Sequence, residues 1–344
     1  MMTTLSNRAA RIAEPGKSLE LVDVEAPRPR PGQVLIKNHA VAIQPLDVKM
    51  LLTGYGPKLG YPAVLGTTGA GVVEKLGDDV TDLNVGDRVV FDTTAYIAVN
   101  NNLRSGTWQK LVIADTKTVA KIGDTPFEQA VLIHYPLQTA VAALHIFLKM
   151  GKPGSGSSED KVLIWGAGGA VGLYAAQYAK SVGHTVVVTA SPRDSERQKK
   201  LGATAVVDYK AADAVEQLRK LGPFRYLFTA SGDPASQQTL ASLIPPSEGG
   251  QFGSVLAGDV DLPANVQRIY GFFTGASQVD ENTDYRDWYY QKYLPKVLQE
   301  KLVEPAQFTI VEGGLAALQQ ACADVHDGKV RGKLIVDPQE SHCI

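Results

Sequence analysis

The stretch that decides the fold runs from residue 162 to residue 180, VLIWGAGGAVGLYAAQYAK. An apolar run of strand composition passes directly into glycines at 166, 168, 169 and 172, and then into an amphipathic helical pattern. A pyrophosphate reaches a backbone only where the chain turns without side chains, and the unpaired amides of a helix N-terminus then face its charge. Glycine permits both the turn and the approach. Gly166, Gly168, Gly169, Ala170, Val171 and Gly172 therefore form the candidate phosphate cradle. Val171 stands where strict G-x-G-x-x-G has its third glycine, so the spacing follows G-x-x-G-x-x-G instead. Alone the motif is weak, and a merely structural tight turn is the alternative. The strand before it and the further β-runs behind it favour a dinucleotide.

Outward from this turn, strand-like runs alternate with helical segments: TVVVT, RDSERQKKLG, AVV, AADAVEQLRKLG, YLFTA, PASQQTLASLI and GSVLA. That alternation predicts a parallel sheet with right-handed crossovers, and the short, almost wholly apolar strands predict a sheet covered on both faces. The fold class is α/β, with a Rossmann doubly wound parallel sheet. The end of its second strand selects the nucleotide, because the ribose hydroxyls of NAD call for an acid there and the phosphate of NADP calls for donors and positive charge. The sequence reads TVVVTASPRDSER, with no acid at Thr189 or Ala190 and with Ser191, Arg193 and Arg197 following. NADPH is the expected cofactor; the alternative is that Asp194 and Glu196 simply neutralise the two arginines on a solvated helix. Tyr209, Leu256, Ala257 and Phe273 complete the candidate cofactor set in this region.

The first 130 residues read differently, as short alternating or valine-rich runs such as LELVDV, QVLIKNHAVAI and GDRVVF between Gly and Pro. This is a β-rich domain. Two packing helices, PFEQAVLI and PLQTAVAALHIFLKM, follow, and then the polar loop KPGSGSSED. Beyond residue 277 come longer helical pieces and the strand KLIVD. The expected division is 1–130 and 277–344 for the β-rich domain and 131–276 for the nucleotide domain. Composition agrees with two cores: 344 residues, 44% of them hydrophobic. A net charge of -2 leaves no basic face for nucleic acid. Two cysteines exclude a disulfide framework and fit a reducing, cytoplasmic setting. No apolar run approaches the roughly eighteen residues of a membrane span. The leader-like composition of residues 1–11 gives a weak transit-peptide signal, and Cys343 stands at the wrong place for prenylation.

Together these pieces resemble the medium-chain dehydrogenase/reductase superfamily, and in particular its zinc-free quinone oxidoreductases and enoyl reductases, including fungal trans-acting enoyl reductases. The resemblance rests on PGQVLIK, QPLDVKMLLTGY, PAVLGTTGAGVVEKLGDDVTDLNVGDRV, PLQTAVAAL, the glycine turn, LGATAVVDY and HDGKVRGKLIV, and covers nearly the whole chain. It implies a GroES-like β-rich catalytic domain built from both chain ends. It also implies hydride transfer to an α,β-unsaturated carbonyl or a quinone, free or carrier-bound, by a monomer or homodimer. Ketone or alcohol dehydrogenation and a non-catalytic NADPH sensor are the competing readings. Zinc relatives place a Cys before the first helix and Gly-His-Glu further on; here AIQPLD and GTTGAG put Gln44, Thr67 and Thr68 at those positions. No metal is expected.

Without a metal, positioned donors and an acid must carry the chemistry. Tyr55, eleven residues after Gln44, matches in spacing the acid of enoyl reductases in this superfamily, with a packing tyrosine as the alternative. Lys49 resembles the lysine of the fungal enzymes or is a solvated charge. Gln44 is a candidate donor to substrate or nicotinamide, and it departs from the usual Asn of this branch. Thr139 matches a threonine beside the nicotinamide, with simple helix packing as the alternative, and Lys333 is a candidate cofactor contact or an ordinary surface lysine on a strand. His134 and Tyr135 are read as pocket walls, Cys322 as core, and Trp288, Tyr289, Tyr290 and Tyr293 as core or pocket lining. The run from Ile269 to Phe273 is a candidate pairing edge.

Overall fold

The computed structural model describes residues 6–97 and 102–340. Residues 1–5 of the leader-like stretch, and the tail with Cys343, lie outside them. The chain divides into two compact units, Pro136–Ala276 and a second one assembled from Met1–Tyr135 with Ser277–Ile344.

The first unit carries a six-stranded, wholly parallel sheet. Its spatial order is Ala205–Asp208, Thr185–Ala190, Lys161–Trp165, Tyr226–Thr229, Gly250–Ser254 and Val266–Tyr270. The strand before the glycine turn is central, and Val162, Leu163 and Ile164 on it are fully buried. That is why these strands read as apolar runs rather than as alternations. The next two strands add on one side and the following three on the other, so the direction of growth reverses beside Lys161–Trp165. Nucleotides bind in the crevice beyond the carboxyl ends of strands at such a reversal. Tyr270 and Phe272, at the outer edge of the sheet, are exposed.

The other unit holds a seven-stranded sheet and a three-stranded one. Strand Gln33–Ala42 is its hub, paired antiparallel with Thr68–Leu76, with Leu111–Asp115 and with the C-terminal strand Lys333–Val336. The last pairing, Ile335 against Ala42 and Val336 against Val41, binds the chain's end to its beginning and sets Lys333 next to the segment that leaves Gln33–Ala42. Ile43 N donates to Leu334 O at 2.9 Å and fixes that segment where Gln44 begins. Below it packs a core that includes Met50, Leu51, Trp108, Leu318 and Cys322, all at most 1% exposed.

Between these elements the two expected helices are one. Phe127–Val141 runs through Pro136 and continues as a wider π-type turn over Ala142–Phe147. Proline removes one backbone donor at a cost near 3 kcal/mol, and burial of Leu132, Leu137, Val141 and Leu144 offsets it. By length and composition Phe127–Phe147 is apolar enough to cross a membrane, although Glu128, Gln129, His134 and Gln138 interrupt its apolar run. Some 72% of its most apolar stretch is buried inside the protein, as in a core helix.

Candidate active site

At the nucleotide end, Gly166 has φ +86, a left-handed conformation, immediately after the central strand. Helix Ala170–Val182 starts at Gly169, and no side chain caps its first amides. Gly172 serves another purpose: a Cβ there would lie 2.3 Å from Gly166 O and 2.9 Å from Ala167 Cα. The helix packs onto its own turn through that missing side chain. A Cβ at Gly168 would meet only Asp194 Oδ2 at 3.6 Å, and one at Gly169 only Gly166 O at 3.8 Å. The turn therefore presents bare backbone on one face and is locked on the other, which fits a pyrophosphate.

Around the second strand end, Ser191 donates to Asp194 Oδ2 at 2.7 Å, and Arg193 Nε lies 3.7 Å from the same oxygen with its side chain 68% exposed. Arg197 stands on the following short helix, Ser195–Lys200, and Tyr209 is exposed just past the third strand. Leu256 and Ala257 follow strand Gly250–Ser254 and are half-buried. The ring of Phe273 is buried against Phe147 and Phe228. Thr139 lies on helix Phe127–Val141, half-buried.

The catalytic candidates of the β-rich unit gather on one short helix. Pro45–Thr53 has proline at its first turn and ends at Gly54, φ +70, whose N–H donates to Met50 O at 3.1 Å. The chain then doubles back: a Cβ at Gly56 would touch Leu46 and Met50 side chains, so Tyr55 is returned along the helix. Lys49 Nζ sits over the Tyr55 ring, 5.2 Å from its centre. At the other end Gln44 is 2% exposed, and its Oε1 accepts from Lys333 Nζ at 2.6 Å. The contact joins two residues that the sequence singled out separately, Gln44 as a donor to substrate or nicotinamide and Lys333 as a cofactor contact.

Beneath Gln44 lies Asp47, fully buried and missed by sequence reasoning. Its Oδ1 accepts from Tyr96 OH at 2.7 Å, and its Oδ2 accepts from Gln44 N at 3.2 Å and Thr67 Oγ1 at 3.3 Å. Tyr96 OH in turn accepts from Gly66 N at 2.7 Å. Burial pushes the Asp47 carboxyl up to about 6 against those hydrogen bonds. Burial pulls the Lys333 ammonium down to about 8, and the Asp47 charge works in the opposite direction. The aspartate of the QPLD motif was the available signal, since an acid at the third helical position commonly reaches back to the cap.

A second buried polar group surrounds Asp92. Tyr290 OH donates to Asp92 Oδ2, and His134 Nε2 faces Asp92 Oδ1 at 2.9 Å, outside hydrogen-bond alignment. Tyr289 OH donates to His134 O at 3.3 Å. His134 is fully buried, so it lies inside the protein and does not wall a pocket. Tyr289, Tyr290 and Tyr293 are likewise core, and Trp288 stacks on Tyr293 with ring centres 4.8 Å apart. Cys322 is buried with its thiol pushed up by burial, as a small core residue.

Zinc does not fit these donors. Among the described residues no three His, Cys, Asp or Glu side chains gather, and the Gln44 oxygen is already engaged by a lysine ammonium. Fold and donor set together define a two-unit dehydrogenase architecture of nucleotide unit and β-rich unit. Residues 30–124 match the alcohol dehydrogenase GroES-like domain family, and residues 170–281 match the family described as zinc-binding dehydrogenase. Trans-enoyl reductase tndF of Aspergillus flavipes is 31% identical over 343 residues, covering 96% of this chain and 98% of that protein. Trans-enoyl reductase tazE of Aspergillus terreus is 35% identical over 261 residues, 73% and 86% of the two chains. The structure of a quinone oxidoreductase from Pseudomonas syringae pv. Tomato DC3000 superposes with a TM-score of 0.77 at 23% identity, over 96% of this chain and 100% of that one. The chain belongs to the medium-chain dehydrogenase/reductase superfamily, in its enoyl reductase and quinone oxidoreductase branch. It is an oxidoreductase of a superfamily whose members bind nicotinamide cofactors.

Proposed function

We propose that the protein is an NADPH-dependent reductase that delivers hydride, without a metal, to the alkene of an α,β-unsaturated carbonyl or to a quinone. The observation that carries this reading is the contact of Gln44 Oε1 with Lys333 Nζ. Where zinc relatives place a thiolate, this chain has an amide oxygen holding a lysine cation. Saturated ketones need strong polarisation of the carbonyl, whereas a conjugated acceptor spreads the arriving charge over several atoms, so positioned donors suffice. The trans-enoyl reductase names of these two relatives support the same reading.

When bound, the reduced nicotinamide supplies the hydride. The chain's own part is to hold the pyrophosphate on the amides from Gly166 to Gly172, and the ribose phosphate beside Ser191, Arg193, Arg197 and Tyr209. Gln44, Lys333 and Lys49 orient the substrate and the Tyr55 hydroxyl provides the proton, while on the nucleotide unit Thr139 is the candidate contact to the nicotinamide. A second cofactor reading has one observation in its favour: the Asp194 carboxylate, bonded to Ser191 and near Gly168, offers an acceptor to the ribose of NADH.

The purified protein is expected to consume NADPH in the presence of a conjugated enone or a quinone, with kcat/KM for NADPH at least tenfold above that for NADH, a difference of about 1.4 kcal/mol. Equal or better use of NADH removes the NADPH assignment, and no consumption across an acceptor panel removes the reaction. In the same assay Tyr55→Phe should lower kcat by roughly 10²-fold or more, the scale of general-acid catalysis, while the Kd for NADPH stays unchanged.

A further inference from the structure

We propose that Lys333 Nζ, clamped by Gln44 Oε1, is the cation that receives the carbonyl oxygen of the substrate, with Gln44 Nε2 as second donor to the same oxygen. The proposal deepens the conjugate-reduction reading and rests on it.

Three observations carry it. An ammonium has three N–H donors, and among the described residues Lys333 uses one of them, on Gln44. Its neighbouring acid does not neutralise it by contact, because both Asp47 oxygens are occupied by Tyr96, Thr67 and the Gln44 backbone and none forms an ion pair with Lys333. Asp47 thus supports the charge from a distance. Finally, Gln44 Nε2 is buried and has no hydrogen-bond partner. A buried donor left unmet costs about 1–3 kcal/mol, and an oxygen brought against Lys333 is placed to relieve that cost, since the two ends of one amide are close enough for a single atom to meet Nζ and Nε2 together.

The chemistry matches what such a pair does well. As the β-carbon takes hydride, the alkene pair moves toward the carbonyl and negative charge gathers on its oxygen. Lys333 and Gln44 hold that charge where water is largely excluded, so their hydrogen bonds strengthen as it develops. The pair then returns to the α-carbon, which takes the Tyr55 hydroxyl proton, and water reprotonates the tyrosinate. Lys333 keeps its proton throughout and acts as a fixed cation where relatives of the zinc type carry a metal.

Binding of 4-nitrophenol tests the pair at equilibrium, because its visible absorbance reports whether the bound oxygen is ionised. Wild-type protein should bind the phenolate over the phenol and lower its ionisation by one pH unit or more, about tenfold in preference. Lys333→Met should lose that shift, Lys333→Arg should keep part of it, and Gln44→Leu should lose a smaller share. With an enone, Lys333→Met should lower kcat about 10²-fold or more, the scale of a lost oxyanion donor, with the Kd for NADPH unchanged. No shift in the wild type, or a shift that survives in Lys333→Met, overturns the proposal. So does a Lys333→Met enzyme that binds NADPH weakly and turns over normally, which makes the lysine a cofactor contact. A wild type that shows the Lys333-dependent shift and reduces no acceptor removes the proposed reaction and retains the oxyanion site.

Discussion

Gly172→Val should abolish nucleotide binding, with the Kd for NADPH raised 100-fold or more, a loss of about 2.7 kcal/mol or greater. Even the first added carbon would sit 2.3 Å from Gly166 O and 2.8 Å from Gly166 C, and both are backbone atoms of the turn itself. No side chain can move aside there. The helix must lift from the strand, and the amides from Gly169 onward no longer converge on one point. Gly168→Ala is the informative control, because its Cβ meets only the flexible Asp194 carboxylate at 3.6 Å. That variant should fold with an unchanged denaturation midpoint, so any loss of affinity reports on the space the cofactor itself requires. Titration of NADPH fluorescence with both variants separates the two glycines. Equal affinity of Gly172→Val and wild type would show that the turn is not the phosphate site.

The largest loss of stability is expected from Asp92→Ala. Tyr290 OH and His134 Nε2 both face this carboxylate in a core where neither can reach water, with His134 and Tyr290 at most 1% exposed. Burial and the Asp92 charge hold the Tyr290 phenol well above its ordinary value, so it is a neutral donor at any working pH. Asp92→Ala takes the carboxylate away from the buried Tyr290 hydroxyl, and a buried donor that loses its partner costs about 1–3 kcal/mol. Urea denaturation of the β-rich unit, followed by tyrosine and tryptophan fluorescence, should show a midpoint shift of that size. Asp92→Asn, which keeps an acceptor for Tyr290, should cost less than half as much. A midpoint unchanged by Asp92→Ala would mean that the cluster adds nothing to stability.

Much of the nucleotide unit was legible in the sequence because its strands are buried on both faces and its crossovers are regular. VLIW and TVVVT could be little else once the glycine turn joined the first strand to an amphipathic helix. The β-rich unit was legible as composition and not as pairing, because the decisive contact, Ile335 with Ala42, spans almost the whole chain. For the same reason Gln44 and Lys333 were singled out separately, and nothing local to either could announce a bond of 2.6 Å between them. Asp47 escaped notice because an acid in the first turn of a helix is ordinary. What distinguishes it is complete burial under Tyr96 and Thr67, which only the assembled sheet creates. The helix through Pro136 was split in the sequence reading because proline usually ends a helix, and the packing of its apolar face overrides that preference. His134 was placed at a pocket wall by its position before that proline, whereas the continuous helix turns it inward to Asp92.

The most direct test of the account is the fate of deuterium carried on the reducing carbon of NADPH. With a conjugated enone as acceptor, the product should be the saturated carbonyl compound with one deuterium on its β-carbon, formed at full rate by protein freed of metal with a chelator. Deuterium on the carbinol carbon of an allylic alcohol, or activity that disappears with the chelator and returns with zinc, would contradict it.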